Sequence, residues 1–109
     1  MEFPKEKYEG YLKVLGIWNG KKMNEKQIET VFLLAREDFI NYRLSLDELS
    51  SICQELSRFV EKDINIMTGN LATVLDLGLE LSWYVRQKNK KTLEKFSDFL
   101  FAILKYKKS

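Results

Sequence analysis

The chain has no histidine, one cysteine and one proline, and its five glycines are scattered. Each shortage removes a way of building a small active site. Without histidine there is no imidazole to act as a general base near neutral pH, nor to serve as the commonest nitrogen ligand for a metal. The single cysteine, Cys53, excludes an intramolecular disulfide framework, and with no histidine beside it an ordinary zinc site as well. The stretch from Gly16 to Lys22 echoes a phosphate loop. It has one residue too few between its glycines, however, and it lacks the closing Ser or Thr and a preceding strand pattern. No metal or cofactor is expected. Long apolar runs are missing too: the greasiest stretch, Leu71 to Val85, is broken by Asp76 and Glu80 and is too short to span a bilayer. The opening residues, Met1 to Glu6, are polar and charged, unlike a secretory leader. These features lead us to expect a cytoplasmic protein without membrane contact.

What the chain does have is an ordinary globular balance, with 45% apolar and 31% charged residues. A chain of 109 residues fits one domain, and at this size folding buries roughly 60–70% of the surface of the unfolded chain. The net charge of +2 conceals an asymmetry. Residues 1–85 carry 10 Lys/Arg against 14 Asp/Glu, whereas residues 86–109 carry 8 against 2. Any electrostatic partner would be met at that C-terminal end.

Apolar residues recur at helical spacing along most of the chain, which predicts a single all-α domain of four or five antiparallel helices over about 5–18, 25–43, 46–61, 69–88 and 92–106. Tyr8, Tyr11, Leu12, Leu15 and Trp18 mark the first stripe, closed by Asn19-Gly20. Asn24 with Gln27 reads as a capping box opening the second helix, whose stripe is Ile28, Phe32, Ala35, Phe39 and Tyr42. Ser45 with Glu48 is a second box; the helix after it buries Leu46, Leu49, Ile52, Cys53, Leu56 and Phe59/Val60. Residues 61–67 read as a connection, and Thr68 as the cap of a fourth helix that turns Leu71, Val74, Leu75, Gly78, Leu81, Ser82 and Val85 inward. Gly78 and Ser82, one turn apart, make a notch for a close helix neighbour. The fifth helix offers Leu93, Phe96, Phe99/Leu100 and Ile103. The densest packing is expected among helices two, four and five.

Few residue sets suit catalysis. Cys53 lies in a core stripe with no base available, so a buried structural thiol is expected. Asp47 and Glu48 are accounted for by capping, and Asp76 with Glu80 by a wet helix face. Arg36 and Arg43, seven residues apart, are the best pair for stabilising negative charge, and would need to converge. Off-stripe apolar residues point elsewhere. Trp83 stands with Asp76, Glu80 and Gln87 on the outer face of helix four, and Phe101 and Leu104 lie off the fifth stripe. The leading expectation is therefore a non-enzymatic protein-interaction module, an adaptor, regulator or neutraliser, or a self-associating one. Its contact surface would lie on the last two helices, with Trp83, Phe101 and Leu104 as anchors beside Asp76 and Glu80. The alternative is nucleic-acid binding through Arg86, Lys88, Lys90, Lys91 and Lys95, where arginine is scarce and no aromatic residues interleave for base stacking. A small enzyme relying on Arg36 and Arg43 ranks third.

Overall fold

The computed structural model describes residues 3–17, 23–62, 70–88 and 90–107. Five helices follow one another: α1 (Lys5–Val14), α2 (Glu25–Ile40), α3 (Leu46–Lys62), α4 (Asn70–Arg86) and α5 (Thr92–Lys105), with no strand among the described residues. The all-α expectation holds. Both capping boxes form: Asn24 Oδ1 accepts from the Gln27 amide at 2.8 Å while Gln27 Oε1 accepts from the Asn24 amide at 3.0 Å. Ser45 and Glu48 repeat this at α3, at 3.1 and 2.9 Å. Each box satisfies two amides that a helix start leaves orphaned.

The helix ends depart further from expectation. α1 stops at Val14 rather than 18, because Gly16 turns left-handed at φ 71°. Its amide then reaches the Lys13 carbonyl at 3.0 Å, and the Ile17 amide reaches Leu12 at 2.9 Å. That pair of bonds is a Schellman closure, and glycine enters its left-handed position at little cost. Trp18, Asn19 and Gly20 lie outside the described residues, as do Thr68 and residues 63–67 of the expected connection; 61 and 62 continue α3.

α2 closes the same way without a glycine. Tyr42 takes the left-handed position at φ 63°, its amide bonds to the Phe39 carbonyl at 3.1 Å, and the Arg43 amide to Asp38 at 2.7 Å. The expected stripe residue Tyr42 is thus 97% exposed, and α2 ends three residues earlier than its periodicity suggests. Lys88, at φ 51°, plays the corresponding part after α4.

The centre of the molecule is the contact between α3 and α4, not a cluster of helices two, four and five. Leu49, Ile52, Cys53 and Leu56 of α3 are fully buried, and α3 packs most closely where Gly78 of α4 faces Cys53. A Cβ on Gly78 would sit 2.5 Å from Cys53 Cβ and 3.1 Å from Phe99 Cε1, so the two helices approach to a distance that only a bare α-carbon permits. Phe99 of α5 closes the joint from the third side. Above the notch, the buried Ser82 donates to Gln54 Oε1 at 2.9 Å, and Arg86 donates to the same oxygen at 2.7 Å. α2 brings Ile28, Val31, Phe32 and Ala35 to the core, and α1 adds Tyr8, Tyr11 and Leu12.

Gly78→Ala is expected to destabilise the fold by roughly 1–3 kcal/mol, since the obstructing atom is fixed to the α3 backbone and the helices must separate. At Gly10 a Cβ would meet nothing within 4 Å, so Gly10→Ala should stabilise by about 0.5–1 kcal/mol through helix propensity. Opposite shifts of the urea midpoint would confirm the contrast. Tyr42→Gly should raise stability by about 1 kcal/mol, because relief of the left-handed conformation outweighs the added unfolded-state entropy of glycine, and the exposed side chain takes no packing with it.

Candidate functional site

The two arginines that an electrostatic site would need to bring together are committed to different partners. Arg36, on α2, donates from Nη1 to the carbonyl oxygens of Tyr106 at 2.6 Å and Ile103 at 3.3 Å, the open end of α5. Its guanidinium also lies 5.9 Å from the centre of the Tyr106 ring. A cation there satisfies orphan carbonyls and meets the negative end of the helix dipole. Arg43 instead donates to Asp38 Oδ1 at 3.2 Å. The pair therefore does not form the converging set that an electrostatic site would need.

Around Arg36 the chain assembles a latch that sequence reading missed. Tyr106 is buried, stacks edge-on against Phe32 at 5.3 Å between ring centres, and donates its hydroxyl to the buried carboxylate of Glu29. Burial and then the Glu29 carboxylate push the Tyr106 hydroxyl pKa upward, so the phenol stays protonated as donor. One signal was in the sequence: Tyr106 follows Ile103 by three residues. Its partner Glu29, between Ile28 and Thr30 in the second turn of α2, had none.

Asp38 is a second polar node, tying α1 to the end of α2. It accepts from Tyr11 Oη at 2.5 Å and from Arg43, with Lys7 Nζ 4.0 Å away. Burial alone would raise its pKa, but the hydrogen bonds from Tyr11 and Arg43 and the charges of Lys7 and Arg43 outweigh it and hold it below the ordinary carboxyl value.

Cys53 is fully buried against Gly78, and desolvation drives its thiol pKa well up, the opposite of an activated nucleophile. Among the described residues no group of three or more Cys, Asp or Glu side chains gathers in a way that could hold a metal ion. No helix among them is long and apolar enough to cross a membrane. The basic cluster is partly spent. Lys95 forms an ion pair with Glu80 at 3.0 Å and lies 5.3 Å from the Tyr84 ring centre, and Arg86 is held by Gln54. Lys88 and Lys90 are exposed at the α4–α5 turn.

The exposed apolar residues fall into two places. Trp83, 53% exposed, stands edge-on to Tyr84 on the α4 face that also carries Asp76 and Glu80. α5 carries the larger feature. Leu93 and Leu100, expected in the core, are exposed; the inward row is Phe96, Phe99, Ile103 and Tyr106 with Ala102. The helix turns this way because Phe99 must fill the Gly78 joint and Tyr106 must reach Glu29. Leu93 (81% exposed), Leu100, Phe101 (63%) and Leu104 (61%) then make a second apolar row on the outside. Lys95 marks the side of α5 that meets α4, and at about 100° per residue Leu104 lies roughly 180° from it. The row thus looks away from α4, and Trp83 does not share it.

Because the folded pKa of Asp38 is depressed, its contribution to stability is present above the ordinary carboxyl value and lost as pH falls through the folded one. Asp38→Asn should be less stable than the parent at neutral pH, and should lose less on acidification below about pH 4. Unfolding curves taken from about pH 7 down to about pH 2.5 should converge at the acid end.

No family model matches this chain, and neither does a curated protein or a solved structure.

Proposed function

We propose that this protein is a non-enzymatic interaction module that binds another polypeptide through the outer face of α5. The observation carrying this reading is the second apolar row itself. Leu93, Leu100, Phe101 and Leu104 follow one another on one side of a helix whose opposite side already fills the core. A helix apolar on two faces is normally central to a bundle, yet no other helix of the described chain covers the outer one. Leucine and phenylalanine exposed as a contiguous row, with a polar edge, have the character of an interface core. Trp83 with Asp76 and Glu80 forms a smaller, separate face that suits an accessory contact.

Nucleic-acid binding is the competing reading, favoured only by the surface lysines at the α4–α5 turn. The commitments of Lys95 to Glu80 and of Arg86 to Gln54 weaken it, since counterion release needs cations free to meet phosphates. Capture from native cell extract separates the two. Combined Phe101→Lys and Leu104→Glu substitution should cut recovery of the bound protein by at least about tenfold. Lys88→Glu with Lys90→Glu, or nuclease treatment, should leave recovery unchanged. The reverse pattern would replace the protein-binding reading with the nucleic-acid one.

A further inference from the structure

We infer that the α5 row pairs with the same row of a second copy of this chain, the two helices running antiparallel. This inference rests on the reading of the row as a protein-binding face and specifies the partner. Three features of α5 support it. Leu93, Ser97, Leu100 and Leu104 are spaced four, three and four residues apart, a heptad seam that runs the length of the helix. Ser97, exposed at the middle, keeps the seam shallow there, so the seam residues of a reversed copy can interdigitate, Leu93 against Leu104 and Ser97 against Leu100.

The third feature is charge. One edge of the row carries Glu94 and Asp98 toward the helix start and Lys105 at its end, all exposed. Lys105 already leans over the row, with its ammonium 4.8 Å from the centre of the Phe101 ring. A two-fold axis perpendicular to antiparallel helices sets the same edge of each copy side by side and reverses its direction. Glu94 of one copy then lies near Lys105 of the other, twice by symmetry. A parallel pair would lose this match. The edge is complementary to its own reversal, which a face built for an unrelated partner has no reason to be.

The row is small. Total burial falls under roughly 1,200 Å², which belongs to weak, exchanging complexes, with a dissociation constant on the order of 1–100 μM. Sedimentation of the full chain from about 1 μM to about 1 mM should therefore pass from monomer to dimer. Leu104→Glu, at an exposed position where folding is unaffected, should weaken the dimer by about 100-fold. Glu94→Lys and Lys105→Glu should each weaken it several-fold, about 2- to 10-fold, with the double exchange restoring it. Orientation is read from disulfide trapping, which the buried Cys53 does not disturb. Leu93→Cys mixed with Leu104→Cys should cross-link, while neither variant alone should.

A monomer at every concentration, a dimer indifferent to Leu104→Glu, or self-cross-linking of the single variants would each overturn the inference. Monomeric protein that still loses a captured partner when Phe101 and Leu104 are changed would overturn self-pairing alone. Loss of both dimer and row-dependent capture would remove the interface reading with it.

Discussion

The structure depends on how closely α3 can approach α4. Gly78 offers no side chain where Cys53 arrives, and Phe99 packs on both at the same point, so three helices meet around one missing methyl group. Ser82, Gln54 and Arg86 hold the same two helices together beyond the joint with hydrogen bonds. Dispersion and burial both fall off over fractions of an ångström, which is why a single α-carbon without substituent can govern the rest. Cys53 has a structural explanation in full: its thiol is the small, weakly polar group that fits beneath a glycine.

From that joint the orientation of α5 follows. Phe99 fixes one point on the helix, and the Arg36–Glu29–Tyr106 latch fixes its far end against α2. Two fixed points leave no freedom to rotate about the helix axis. Leu93, Leu100, Phe101 and Leu104 are exposed as a consequence, because the inward positions are already taken. The proposed binding face is thus the remainder of a packing decision made elsewhere in the molecule, and this accounts for its extending along the whole helix rather than forming a local patch.

The polar groups are divided in a consistent way. Arg36 closes a helix end, Arg43 and Tyr11 surround Asp38, Lys95 engages Glu80, and Arg86 reaches Gln54. Each of these side chains joins two elements or finishes one. These particular charged groups are occupied in assembling the bundle, and the outer side of α5 is apolar with a charged edge.

Local features were legible from residue order because their causes are local. The two capping boxes depend on side chains three residues apart from the amides they satisfy, and the number and approximate span of the helices follow from a repeat within each segment. The core positions of α3, including Cys53, and the notch at Gly78 were visible for the same reason, as was the exposure of Trp83, Phe101 and Leu104. Tyr42 misled because its spacing continued the stripe while the backbone had already turned left-handed to close the helix. On α5 the apolar residues cover most of the circumference, so periodicity permits several inward faces, and Leu93 and Leu100 fit one of them as well as Phe99 and Tyr106 fit another. Only contacts distant in sequence choose: Phe99 against Gly78 and Cys53, Tyr106 against Glu29 and Phe32, Arg36 against the last carbonyls. Residue order alone specifies which segments are helical and how α2 and α3 start. Packing alone selects which side of the last helix is buried, and with it which apolar row stays exposed, because that choice is made by steric fit and hydrogen bonding between residues far apart along the chain.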